Sequence, residues 1–144
     1  MYKNLIYLSQ PINPFGHISD IDILRAAEAR NAALDVTGIL LRGPRFFCQA
    51  LEGTAEQVHH LMDMIRKDPR HSDIREFGAV DVPERRFSGW SMAYAEVGAD
   101  VHQELERLHT FGHGAAAALD LLVAELEKSH PHLLTMPARK SPRE

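Results

Sequence analysis

Phe46-Phe47-Cys48-Gln49-Ala50-Leu51-Glu52-Gly53 reads as a strand, because aromatic, apolar and small residues fill its start and a glycine ends it. Alternate side chains of a strand share a face, so Phe47, Gln49 and Leu51 point one way and Phe46, Cys48 and Ala50 the other. Gln49 is thereby set between two large apolar neighbours, on a face that must be buried. A buried primary amide carries two N–H donors and a carbonyl acceptor, all of which need partners. The strand alone leaves two readings open: an amide satisfied by backbone groups at a sheet edge, the commoner arrangement, or one in contact with a ligand.

Outward from this strand, the chain falls into short elements with clear stops. Thr37-Gly38-Ile39-Leu40-Leu41 is a second strand, and Arg42-Gly43-Pro44-Arg45 a turn, so the two strands are expected to be antiparallel neighbours. After Gly53, Thr54 and Gln57 form a capping box opening a helix with Val58, Leu61, Met62 and Ile65 on one face. Pro69 stops it and leaves Asp68, Arg70 and His71 in the following loop. Upstream, Leu5-Ile6-Tyr7-Leu8-Ser9 is a central strand with Leu5, Tyr7 and Ser9 on one face, ended by Gln10-Pro11 and the turn-rich 13–16 segment. Ser19, with Asp22 three residues on, starts a helix on which Leu24, Ala27 and Asn31 form a stripe flanked by Arg30. Asn31 and Arg30 then project from the helix end towards the core face; polarity of this kind is also common at a carbonyl end, where Arg30 suits the dipole.

Downstream, Ile74 to Val82 and Ser91 to Val97 are strand candidates separated by Pro83-Glu84-Arg85-Arg86-Phe87. On the last strand Trp90, Met92 and Tyr94 share a face, for which core packing is the plain explanation. The order β-α-β-β-α-β plus a fifth strand predicts an α+β, ferredoxin-like sheet with both helices on one face. Past Gly98, Val101, Leu105 and Leu108 mark one helix and Leu119, Leu122, Val123 and Leu126 another, with Gly112 and Gly114 between them. These two helices are expected to cover the other face of the sheet. The domain reading is a main unit over 1–98, a helical extension over 99–136 and a disordered tail over 137–144.

With 144 residues, 44% of them hydrophobic, the chain is long enough for one domain with a sizeable core. A net charge of −4 and a pI near 6.1 give no sign of a nucleic-acid or membrane surface. One cysteine excludes an internal disulfide and fits a reducing compartment. The N-terminus shows no signal-peptide core, and no apolar run reaches the ~20 residues that span a bilayer. A cytoplasmic protein is expected.

The sequence opposes two function classes. Tyr7 and Phe47 on central strands are placed as RNA-stacking aromatics would be, but the acidic balance and the expected helical cover oppose that use. His109 and His113 have i, i+4 spacing, but neighbouring glycines oppose a rigid helical metal pair, and His130-Pro131-His132 lacks carboxylate support. No metal site is expected. Neither a phosphate-cradling loop nor a triad pattern is visible, so enzymatic activity is not expected.

Taken together, Tyr7-x-Ser9, Arg30-Asn31, Thr37-Gly38, Gln49-x-Leu51-Glu52-Gly53, Asp68-x-Arg70-His71 and Arg86-Phe87-x-x-Trp90-Ser91-Met92 resemble the BLUF family of blue-light sensors that use FAD. The likeness runs over roughly residues 3 to 97 in the expected order. It implies non-covalent FAD with its ring system between the first two helices. Tyr7 then matches the photoactive tyrosine, Gln49 the glutamine between it and the flavin, and Asn31 the asparagine on the flavin's carbonyl side. Arg30 matches a variable, often basic position, while Ser9, Asp68, Arg70 and His71 match polar positions around the cofactor. Met92 and Trp90 match the methionine and mobile tryptophan of the last strand. Met64 departs, standing where some members carry a basic residue. The implied mechanism is light-driven electron and proton transfer from Tyr7 through Gln49, with signalling through the last strand and C-terminal helices. A protein partner and self-association are expected to carry the output.

Overall fold

The centre of the sheet is set by β1 (Tyr2–Pro11) and β3 (Phe47–Gly53), which pair antiparallel with Tyr7 directly opposite Gln49. A computed structural model describes residues 1–12, 19–87, 92–112 and 114–129. In chain order the other elements are α1 (Ser19–Ala33), β2 (Thr37–Arg42), α2 (Ala55–Arg66), β4 (His71–Val82), β5 (Ala93–Glu96), α3 (Ala99–Thr110) and α4 (Ala115–Ser129). The strands form one five-stranded sheet in the order β4-β1-β3-β2-β5. All pairs are antiparallel except β2 with β5, which is parallel, so the sheet is mixed. This is the ferredoxin-like α+β arrangement with the fifth strand added beside β2.

The alternation read from the sequence divides the core into two layers. Ile6, Leu8, Cys48, Ala50, Ala93 and Ala95 face α3 and α4, where they meet Val101, Leu105, Leu119, Leu122 and Leu126. Leu5, Tyr7 and Leu51 face α2 and pack on its Val58, Leu61, Met62 and Ile65. Each such side chain, fully buried, contributes roughly 1.5–3 kcal/mol, which holds a twelve-residue helix that would be marginal alone. The capping box is present: the Gln57 backbone N–H donates to Thr54 Oγ1 (3.3 Å), and the Thr54 N–H donates to Gln57 Oε1 (2.9 Å). Ala27, Leu40, Phe47 and Met92 form the third cluster, beneath α1.

Two details shape the sheet around the site. A Cβ on Gly38 would lie 2.3 Å from the carbonyl oxygen of Ala50, so only glycine lets β2 approach β3 at this point. On the far side, the β1–β4 register slips between Ile6 and Tyr7, and Gly78 there adopts φ +97°, a conformation open to glycine.

The structure lengthens one predicted strand and shortens another. β4 begins at His71, not Ile74, because Pro11 pairs with His71 and the Ile12 N–H donates to the Arg70 carbonyl (3.1 Å). His71 is therefore a strand residue, held by the ladder, and not part of a loop. β5 covers only Ala93–Glu96 of the expected 91–97 run, matching the stretch of β2 beside it. Ser91, the Ser19 capping side chain, His113, residues 130–132 and the 137–144 tail lie outside the described residues.

Candidate functional site

Directly opposite positions of a ladder share a face. Tyr7, Gln49, Leu40 and Tyr94 occupy successive opposite positions from β1 through β3 and β2 to β5, so all four face α1 and α2. Tyr7 and Gln49 are each 3% exposed. The Tyr7 hydroxyl donates a short hydrogen bond to Oε1 of Gln49. That turns the amide nitrogen towards Met92, whose Sδ is 3.8 Å from Nε2. Thioether sulfur is a weak acceptor, so the amide retains donor capacity for a better partner. Burial pushes the Tyr7 hydroxyl far above the ordinary phenol range, against the pull of the Arg30 charge, so Tyr7 holds its proton at neutral pH.

His71 sits at the end of the same face. Its Nε2 is 3.1 Å from the Ile65 carbonyl oxygen, which can only accept, so that nitrogen carries the proton. Nδ1 is then free to accept from the Ser9 hydroxyl at 2.7 Å. Burial lowers the pKa of His71 below its ordinary value, partly offset by the Ile65 carbonyl and Asp68. The ring packs edge-on near Tyr7 and Phe47, with centroids 6.1 and 6.4 Å away.

A small cavity of about 30 Å³ opens beside this pair, between α1, α2 and the sheet. Ile23, Ala27, Leu40, Phe47 and Ile65 give it apolar walls, and Tyr7, Gln49, Arg30, Asp68, Arg70 and His71 supply its polar atoms. Arg30 Nη1 is 3.9 Å from Asp68 Oδ2, while Nε of Arg30 is buried without a hydrogen-bond partner. Asp68 Oδ1 accepts the Arg70 backbone N–H at 3.0 Å. A wider, open groove of about 530 Å³ shares Arg30, Asp68 and Arg70 and continues along Ala26, Ala29, Ala33, His60 and Met64. Apolar walls with an orphaned guanidinium N–H and an under-used amide suit a flat aromatic ligand bearing acceptors on one edge.

Of the residues singled out in the sequence, Tyr7, Arg30, Gln49, Asp68, Arg70 and His71 line one cavity. Ser9 stands behind it and acts on His71. Met92 is 7% exposed and touches Gln49 without lining the space. Asn31 is fully buried one turn beyond Ala27 and is not among the lining residues. Trp90 lies outside the described residues. Tyr7 and Phe47, the aromatics an RNA surface would have used, are covered by helices. Among the described residues no group of three metal-ligating side chains comes together, and His109 packs edge-on against Phe77 at 5.3 Å. Burial raises the Cys48 thiol pKa, and Cys48 faces the opposite core layer. Sequence reasoning missed the lining roles of Ile23, Leu40 and Ile65, whose apolar identity carries no mark of a ligand.

Comparison with known proteins gives this arrangement a family. Residues 2–93 match the family described as BLUF, sensors of blue-light using FAD. Photoactivated adenylate cyclase subunit beta of Euglena gracilis is 37% identical over 92 residues, which are 63% of this chain and 11% of that protein. The chain thus spans about a tenth of that relative's length. The dark-state structure of BlrB, a BLUF protein, has a TM-score of 0.66 at 29% identity and covers 88% of this chain and 92% of that one. The photo-activated state of BlsA has a TM-score of 0.69 at 28% identity, covering 88% and 95%. Among the described residues no helix is long and apolar enough to cross a membrane. With a match over 2–93, well beyond half its length, the chain belongs to the BLUF family of blue-light sensors using FAD.

Proposed function

We propose that the chain is a blue-light receptor, a sensor and not a catalyst, in which Tyr7 and Gln49 form the photoactive pair and the light signal leaves through β5 and the C-terminal helices. The hydrogen bond from Tyr7 to Gln49, at the wall of a cavity with an unpartnered buried N–H, is the observation that supports this reading. Arg30 Nε and the Gln49 amide are the donors offered to a flavin's polar edge, with Asn31 matching the family's flavin-side asparagine one turn beyond Ala27 and Asp68, Arg70, His71 and Ser9 ordering the opening. Met92 holds the amide from the other side.

A bound oxidised flavin, once excited, supplies a strong one-electron oxidant. Beside such an oxidant Tyr7 would be the electron donor, and its hydroxyl, made strongly acidic, would hand its proton to the Gln49 oxygen it already bonds. With electron and proton returned to Tyr7, Gln49 would be left in a different orientation or tautomer. An unmade buried amide bond costs about 1–3 kcal/mol, which makes two arrangements of Gln49 discrete. Met92 responds because its sulfur faces the amide. The next residues, Ala93 and Ala95, lie in the core shared with α3 and α4. The 99–136 extension is therefore read as the transmitting element on a 1–98 sensory unit, and residues 100–130 as the surface for a partner protein or a second copy.

An absorption spectrum before and after blue light tests the reading. The purified protein should be yellow, contain oxidised flavin and show a small reversible red shift. A colourless protein that FAD cannot reconstitute would sink it, and bleaching in place of a shift would indicate different photochemistry.

A further inference from the structure

Glu52 is an acidic residue with no exposed surface, on the same face of β3 as Cys48 and Ala50. A buried carboxylate is costly unless every oxygen is hydrogen-bonded. Here Oε2 accepts from Asn4 Nδ2 (3.1 Å) and the Arg86 backbone N–H (2.6 Å). Oε1 accepts from Thr37 Oγ1 (2.9 Å) and the Phe87 backbone N–H (2.8 Å). Burial pushes the carboxyl above its ordinary range while the Arg86, Phe87 and Thr37 donors and the Arg85 charge pull it back. Because all four partners donate, the arrangement suits the ionised form.

The donors come from places that nothing in the sequence brings together. Asn4 on β1 and Thr37 on β2 are the direct ladder partners of Glu52 on either side. Arg86 and Phe87 belong to the link from β4 to β5. Those strands are opposite edges of the sheet, and the described part of the link, 83–87, brings Arg86 and Phe87 to Glu52. Four strand spacings make the crossing about 19 Å, whereas ten linking residues, 83–92, reach up to about 33–36 Å when extended. Chain length therefore does not decide where Arg86 and Phe87 lie. Arg85 adds to the anchorage, bonding the Glu52 carbonyl (3.1 Å), Thr37 Oγ1 (3.1 Å) and the Asp35 carbonyl (2.9 Å). Phe87 is driven into the core beside Ala93 and Ala95. Met92 follows it by five positions.

We propose that Glu52 is a positioning residue: its carboxylate pins the β4–β5 crossover at Arg86 and Phe87 and thereby sets where β5 lies and how Met92 meets Gln49. The role is distinct from the Tyr7–Gln49 pair, since Glu52 points to the opposite side of the sheet. Its optical consequence rests on the photosensor reading above; its effect on β5 does not.

Glu52→Gln in the full, flavin-loaded chain provides the test, because the new NH₂ must face a donor wherever it points. Amide exchange should accelerate roughly tenfold at Arg86 and Phe87, the effect of one lost hydrogen bond, and also at Ala93–Glu96, with β1 and β3 unchanged. Flavin content should persist while the return of the light-shifted spectrum changes severalfold in rate. Faster exchange at Arg86 and Phe87 with β5 protection and the recovery rate both at wild-type values would reduce Glu52 to a local brace and overturn the proposal. Should Glu52→Gln fail to fold, Thr37→Val, which removes one donor and keeps the shape, should give the same changes at smaller amplitude; no change at β5 overturns the proposal. A wild-type protein without any light shift would defeat the photosensor reading, and exchange at β5 alone would then decide the clamp.

Discussion

Gln49 and Met92 meet amide to sulfur, Nε2 lying 3.8 Å from Sδ, although 43 positions separate them in the chain. The contact joins the middle strand of the sheet to the lead-in of its edge strand. Leucine at 92 nearly conserves volume, and such exchanges cost less than about 1.5 kcal/mol, but it offers the amide no acceptor. Met92→Leu should therefore unfold within about 5 °C of the wild type and keep its flavin, while its light-shifted state decays at a clearly different rate. Unaltered recovery kinetics would show that the sulfur does not restrain Gln49.

Tyr7→Phe removes one oxygen and strips Oε1 of Gln49 of its donor. The orphaned buried carbonyl should lower stability by about 1–3 kcal/mol in urea titration. Flavin should stay bound, and the reversible red shift should vanish. Gln49→Ala should lose the shift too, since the electron donor remains without its relay. Normal photocycles in both variants would remove these residues from the mechanism.

His71 gives a pH signature. Its folded pKa lies below the ordinary 6.5 because burial favours the neutral ring. The unfolded chain therefore takes up this proton first. The stabilisation is complete above about 6.5 and is lost as pH falls from there towards the lower folded value. Urea midpoints at pH 7.5 and 5.5 should show this fall in the wild type. His71→Gln, which keeps an amide donor and acceptor at the site, should flatten it; an equal fall in both proteins would mean that His71 is protonated in the folded state.

Glu106 gives the opposite window. Arg75 Nη1 bonds its Oε2 at 2.7 Å, Arg75 Nη2 bonds Oε1, and His102 Nε2 is 3.0 Å from Oε1. These contacts fasten α3 to β4 and hold the carboxyl down to about 2, against an ordinary 4.5. Stability from this pair is present above 4.5 and is lost as pH falls through the range towards 2. Amide chemical shifts over Ala99–Thr110 should move in that range, and Glu106→Gln should show the loosened helix already at neutral pH. Shifts insensitive to both changes would place the attachment of α3 elsewhere, in its Val101, Leu105 and Leu108 contacts.

Much of the fold could be read from local pattern. Period-two alternation assigned Phe47, Gln49 and Leu51 to one core layer and Cys48 and Ala50 to the other. The four apolar residues of α2 and its capping box depend on neighbours within a turn. The site was legible through residue identity more than through periodicity: a glutamine on a buried face asks for a partner, but its spacing does not say which. The crossover clamp also has a local signal, since the alternation that buries Cys48 and Ala50 buries Glu52 as well.

The sequence by itself determined which side chains share a face and where α2 begins and stops, because those depend on backbone geometry over a few residues. Only the tertiary structure decided that Tyr7 stands opposite Gln49, that Pro11 pairs with His71 and draws it into β4, and that β5 lies parallel to β2 on the far edge from β4. Those pairings join positions tens of residues apart. They are selected by the packing of the whole sheet between its two helical layers, an energy that no single stretch of the chain contains.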